Sequence, residues 1–259
     1  MPEVAALGSQ RGAAPTQALL AITRFGLRSL GLILLLAYGL LLALVVRLHP
    51  THRLQPEPLG RHWSRMLLWL LDIRVTTSGP ARQGRGLIVA NHVSWLDIPL
   101  LYAQVGTRFV SKSEVQRWPV AGWLADAAGT FYLRRGQHGS RPLLARLVPF
   151  LRTGGTVVVF PEGTTTSGPD VLPFHPRLFA AAIESRCAVQ PVALRYGPGA
   201  DGAPIAPFIG DDDLLSHLLR LLRNPGGLEA RVVFVAPLDP SGCTREQLAE
   251  AARAAIRAA

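Results

Sequence analysis

Gly86-Leu87-Ile88-Val89-Ala90, followed at once by Asn91-His92-Val93-Ser94-Trp95-Leu96-Asp97, is the stretch on which the fold turns. Gly86 to Ala90 is apolar without alternation, the pattern of a short strand buried on both faces. A helix-like run from Ile98 to Ala103 follows, so the stretch reads as a strand that passes through a polar loop into a helix. At the mouth of the strand stand a histidine and, five residues on, a carboxylate. Asp97 would fix one ring nitrogen of His92 and leave the other to take a proton from a substrate hydroxyl. The same residues allow a structural reading, in which Asp97 or Ser94 caps the next helix and His92 fills a loop.

Outward from this unit, strands and helices alternate. Strands are predicted over 86–90, 107–110, 130–133, 156–160, 188–194 and 230–236, and helices over 98–104, 114–127, 140–152, 175–185, 213–223 and 244–258. Thr156 to Phe160 is again apolar on both faces, which predicts an α/β fold: a mixed sheet covered by helices on both faces. Thr244-Arg245-Glu246-Gln247 has the form of a capping box for the last helix. Asp211-Asp212-Asp213 suits the N-terminus of the helix after it better than a metal site.

The composition narrows the function classes. Hydrophobic residues make up 49 % of the 259 and charged residues 17 %, and the mean hydropathy of +0.25 points to membrane contact. The net charge of +10 does not imply nucleic acid, because the arginines are scattered and no basic-aromatic tract is present. An anionic lipid surface accounts for the same excess. Cys187 and Cys243 belong to no CxxC or His-rich cluster, so no metal or zinc site is expected. Of the 27 basic residues only Lys112 is a lysine; it reads either as a chance survivor of an arginine-biased chain or as a position that calls for a compact ammonium rather than a planar guanidinium.

Residues 1–16 are small and polar. Ser29 to Val46 carries no charge and is dominated by leucine, close to the lower limit of about 20 residues for a transmembrane helix. Arginines at both ends leave its orientation open, and a helix dipping into one leaflet fits as well as one that crosses. Pro50, Pro56 and Pro58 suggest a linker, and Arg61 to Leu71, with Trp63 and Trp69, suits a helix at headgroup level. The expected organisation is residues 1–60 as a disordered start, an anchor at about 29–46 and a linker, with residues 61–259 as the α/β domain. Gly197-Pro198-Gly199-Ala200-Asp201-Gly202 has the letters of a dinucleotide fingerprint, but Pro204 and Pro207 forbid the helix that would bind pyrophosphate. No Gly-x-Ser-x-Gly elbow, Walker lysine or His-Glu-x-x-His is present.

Four strand ends carry residues that are costly to place there for structure alone. His92 with Asp97 is one. Gly129-Thr130-Phe131-Tyr132-Leu133-Arg134-Arg135 ends in two cations. Phe160-Pro161-Glu162-Gly163-Thr164 halts a strand and turns tightly, and Val189-Gln190-Pro191-Val192 sets a proline in a strand, tolerable at an edge or bulge. In open α/β sheets ligands gather at the carboxyl ends of strands, where the first three would meet.

In this order and spacing, across roughly residues 60–240, the four stretches resemble the glycerolipid acyltransferase family, and in particular the lysophosphatidic acid acyltransferases. The resemblance implies fatty acyl transfer from acyl-CoA or acyl-carrier protein, with no further cofactor, to the free hydroxyl of a lysophospholipid. The first expectation is the sn-2 hydroxyl of 1-acyl-glycerol-3-phosphate, giving phosphatidic acid, at the cytoplasmic face of the cell membrane. It implies His92 as general base and Asp97 as its orienter. Arg135 and Lys112 would lie at the phosphate, with Glu162, Gly163 and Thr164 shaping the acceptor site.

Two departures bear on the acceptor. Many family members have an arginine after Glu-Gly-Thr, where this chain has Thr165, and a lysine and glycine where it has His175-Pro176-Arg177. A missing guanidinium removes a bidentate phosphate partner. A lyso-lipid without a phosphomonoester, such as lyso-ornithine lipid, is therefore the alternative acceptor. A membrane-anchored module that binds lipid without turnover is the reading from another class.

Overall fold

The computed structural model describes residues 13–48, 56–80, 86–133 and 140–259. Two helices come first, α1 (Ala13–Leu48) and α2 (Pro56–Leu70). Pro56 and Pro58 lie in the first turn of α2 rather than in a linker, because there the missing N–H has no helical partner to lose. Strand β1 (Ile73–Ser78) follows, then β2 (Gly86–Ala90), α3 (Asp97–Val105) and β3 (Arg108–Lys112). The predicted helix over 114–127 is broken in two. A 3₁₀ turn spans Ser113–Arg117, Trp118 is extended ahead of Pro119, and α4 is confined to Ala121–Ala127. Proline has no N–H to donate and forces the residue before it out of the helical region.

The remaining elements are β4 (Phe131–Leu133), α5 (Ser140–Arg152), β5 (Thr156–Val159), α6 (Ala180–Ser185), β6 (Val189–Tyr196), α7 (Leu214–Arg223), β7 (Leu228–Phe234) and α8 (Arg245–Ala258). The predicted helix over 175–185 begins as a 3₁₀ turn at Pro176–Phe179 before α6. The segment 197–213 contains no helix, in keeping with its prolines.

The sheet has seven strands in the order β1-β7-β6-β2-β5-β3-β4. The five strands from β6 to β4 run parallel. Strand β7 is antiparallel to β6, and β1 is parallel to β7, so these two run the other way. The alternation of a strand divides the central residues between two cores. Ile88, Ala90 and Val158 face a cluster shared with residues of α1, α2, α3 and α7, while Leu87, Val89, Val157 and Val159 face one shared with α5, α6 and α8. Pro191 lies inside the sheet, at a bulge. Val189 pairs with Leu238 and Val192 with Phe234, so three steps of β6 oppose four of the other chain. The Pro191 carbonyl accepts from the Val235 N–H, so its nitrogen faces the same irregular side and costs no regular ladder bond.

Helix α1 lies against the rest of the molecule. Its buried positions, Leu32, Leu35, Gly39 and Ala43, recur at helical spacing and form one stripe. The Trp63 indole N–H of α2 donates to the Leu35 carbonyl at 2.9 Å. Two turns earlier, the Arg28 guanidinium meets Asp72 at 3.0 Å and the Asn224 carbonyl at 2.9 Å.

Candidate active site

Parallel strands deliver their carboxyl ends to one rim, and five of them do so here. Tyr196 ends β6, Asn91 and His92 leave β2, Phe160-Pro161-Glu162 leave β5, and Lys112 ends β3. Lys112 is exposed and stands two strand spacings, about 10 Å, from the line of β2. It pairs in register with Leu133 of β4. Arg135, expected at the phosphate, and its neighbour Arg134 lie outside the described residues.

His92 Nδ1 lies 2.7 Å from Oδ2 of Asp97. The carboxylate is fully buried, while the imidazole keeps 19 % of its side-chain surface open. Asp97 sits in the first turn of α3, and its Oδ2 also accepts the backbone N–H groups of Val93 at 2.7 Å and Ser94 at 3.0 Å. Its Oδ1 accepts the Tyr196 hydroxyl at 2.7 Å. These three partners are donors, so Asp97 meets the ring as an acceptor and the proton of a neutral His92 resides on Nδ1. Nε2 is left as the basic atom. Asp97 thus holds the loop backbone and the imidazole together, while the capping reading is not met, since Leu96 stands at the N-cap of α3 with no side-chain cap hydrogen bond. Phe160 stacks on the imidazole at 4.1 Å and 13°, which fixes the plane of the ring.

Both carboxylate oxygens of Glu162 are engaged by backbone N–H groups. Its Oε1 accepts the His92 N–H at 2.7 Å and its Oε2 accepts the Leu172 N–H at 2.8 Å. Only 4 % of the residue is exposed. Burial raises its pKa; the two backbone N–H bonds and the His92 imidazole oppose that shift without cancelling it. The carboxylate therefore joins the strand end bearing His92 to the segment that carries Leu172. Gly163 turns the chain beyond it with φ +70°, and a Cβ there would stand 3.2 Å from the His175 ring. Thr164 is exposed beside it, and the Thr166 N–H donates to the His92 carbonyl at 2.8 Å. His92, Asp97, Glu162 and Gly163 are thus brought together, with Thr164 at the surface of the same turn.

Two contributors escaped the sequence reading. Asn91 is buried and bonds both backbone groups of Leu194, donating to its carbonyl at 3.0 Å and accepting its N–H at 2.7 Å. It ties β2 to β6 at the point where His92 leaves the sheet. Its place beside His92 was the only signal. Tyr196 carried none, since an aromatic ending a strand 99 residues from Asp97 is indistinguishable from core. Burial, with Asp97 beside it, pushes the Tyr196 phenol well above its ordinary value, so it remains a donor. Among the described residues no three His, Cys, Asp or Glu side chains cluster as metal ligands.

Comparison with known proteins bears on the chemistry. A family model described as Acyltransferase matches residues 72–195. A lyso-ornithine lipid O-acyltransferase of Pseudomonas aeruginosa is 47 % identical over 243 residues, covering 91 % of this chain and 93 % of that protein. A 1-acyl-sn-glycerol-3-phosphate acyltransferase of Neisseria meningitidis is 35 % identical over 178 residues, 68 % of this chain and 69 % of its own. The crystal structure of the 1-acyl-sn-glycerophosphate acyltransferase PlsC from Thermotoga maritima shares the fold. Its TM-score is 0.64 at 20 % identity, over 94 % of this chain and 95 % of that one.

Proposed function

Because this chain belongs to the acyltransferase family, we propose that it moves a fatty acyl group from acyl-CoA or acyl-carrier protein to the free hydroxyl of lyso-ornithine lipid. The observation that supports the chemistry most directly is the orientation of His92, with Nδ1 engaged by Asp97 and no partner for Nε2 among the described residues. In this reading the acceptor hydroxyl gives its proton to Nε2 as its oxygen attacks the thioester carbonyl. The new C–O bond forms, the C–S bond breaks, and the proton passes on to the departing thiolate. The acceptor draws on the relatives named lyso-ornithine lipid O-acyltransferases and on Thr165 in place of a guanidinium. A zwitterionic amino-acid head needs less cationic charge than a phosphomonoester does. Lysophosphatidic acid is the second reading, supported by the Neisseria relative.

Membranes containing the protein are given radiolabelled acyl-CoA with lyso-ornithine lipid and lysophosphatidic acid in parallel. Ornithine lipid is the expected product, and phosphatidic acid alone would transfer the assignment to the second reading. His92→Ala is expected to cost about 10²–10⁴-fold in turnover. A fully active His92→Ala variant rejects the base assignment.

The reading extends to the membrane. Helix α1 is apolar over most of its surface, yet the described residues cover only one stripe of it; Leu19, Leu20, Leu27, Leu34 and Leu41 are more than half exposed. Hydrocarbon is the remaining solvent for such a surface. With its middle bonded to α2 through Trp63 and Leu35, α1 is proposed to lie along one leaflet. The cytoplasmic face, where thioester donors are found, is the side proposed.

A further inference from the structure

Trp95 stands in the loop between His92 and Asp97, and its indole N–H donates to Nδ1 of His217 at 3.0 Å. His217 belongs to α7 and is 1 % exposed. Its Nε2 lies 3.2 Å from the Ala206 carbonyl. An indole N–H can only donate and a carbonyl can only accept, so the ring is the neutral tautomer protonated at Nε2. Phe208 meets the same ring edge-on at 5.5 Å, and its own N–H donates to the Val93 carbonyl at 3.0 Å. Val93 and Trp95, on either side of Ser94, are therefore both fastened to α7 and the segment before it. The N–H groups of Val93 and Ser94 are the ones that hold Oδ2 of Asp97.

Building on the acyl-transfer reading, we propose that Trp95 and His217 are positioning residues: the neutral His217 ring holds the 93–96 loop in the shape that fixes Asp97, and through it His92. Protonation would turn Nδ1 from an acceptor into a donor facing the indole N–H, and the loop would lose its fastening. Burial and then Arg220, one turn along α7, lower the pKa of His217. The Ala206 and Pro207 carbonyls and Asp212 oppose that shift. Asp212 and Arg220 are the charged groups that face the ring, and they pair with each other at 3.7 Å. Trp95, Ala206 and Phe208, which close its other sides, carry no charge.

The test uses the full-length protein in membranes, with Trp95→Phe, His217→Leu and His217→Gln. Trp95→Phe and His217→Leu are expected to lower kcat by about 10- to 100-fold while leaving the acyl-donor KM little changed, since only the orientation of the base is disturbed. A glutamine amide can accept from the indole and donate to Ala206 without titrating, so His217→Gln should recover most of what His217→Leu loses. It should also retain a larger share of its neutral-pH kcat than the wild type does once the pH falls well below the ordinary imidazole range. Hydrogen exchange of the amides of residues 93–96 is expected to quicken in Trp95→Phe. Wild-type kcat and exchange in Trp95→Phe, or an acid limb in His217→Gln superimposable on the wild type's, would overturn the proposal. The exchange measurement needs no turnover, so a protein that acylated neither acceptor would still report on the loop.

Discussion

Four donors converge on Asp97: the His92 ring and the Val93 and Ser94 amides on Oδ2, and the Tyr196 hydroxyl on Oδ1. The Tyr196 bond comes from another strand and is the only one of the four to reach Oδ1. Tyr196→Phe leaves that oxygen buried without a partner, so kcat is expected to fall about tenfold, with substrate KM values nearly unchanged. Wild-type kcat in this variant would show that Oδ1 needs no partner. Glu162→Gln separates two roles for a motif carboxylate. An amide sets its own N–H against one of the two backbone N–H groups, so a residue that holds His92 should lose kcat, about tenfold. A residue that holds the acceptor should instead raise the acceptor KM. His217 also bears on stability. Its folded pKa is lowered from an ordinary 6.5, so the unfolded chain binds more protons. Its contribution is therefore complete above that value and lost as pH falls through the folded one. His217→Gln should flatten the decline of Tm with acidification, read in a melting series across the acid range.

At the scale of elements, the departures from expectation share a cause, which is context that no local window contains. Ile73–Ser78 alternates weakly and is mostly polar, and it becomes a strand because β7 offers a full parallel ladder to it. Pro119 splits the helix expected over 114–127, the one departure that a local rule accounts for. Helix α1 likewise packs on partners far along the chain. It has 36 residues, about 54 Å at 1.5 Å each, and Leu32 and Leu35 share a core with Leu67, Leu68 and Leu71. Removing residues 1–48 would expose that core and orphan the Trp63 N–H and Asp72. The truncated protein is expected to aggregate rather than yield a soluble enzyme, as size-exclusion chromatography would reveal. A monodisperse, active truncation would contradict that packing.

At the scale of the molecule, one rim of the parallel part of the sheet carries Tyr196, His92, Glu162 and Lys112 from four strands. Besides the apolar surface of α1, the Trp69 ring of α2 is 80 % exposed. A charge of +10 accompanies that surface. Vesicle flotation should therefore show tighter binding to anionic than to zwitterionic lipid at low salt, the difference shrinking at high salt while an apolar remainder persists. Complete release by salt would argue against the leaflet-lying helix. The strands buried on both faces, the His92–Asp97 pair, the turn at Gly163 and the capping box at Thr244 were all legible in the chain, because each rests on periodicity or on partners within a few residues. Tyr196 on Asp97, Asn91 on Leu194, Trp95 on His217 and Arg28 on Asp72 were not, because each joins residues 44 or more positions apart, whose meeting depends on strand order and helix docking. Spacing along the chain states which groups are present. Only the packed sheet, with its cores on both faces, decides which oxygen each donor reaches.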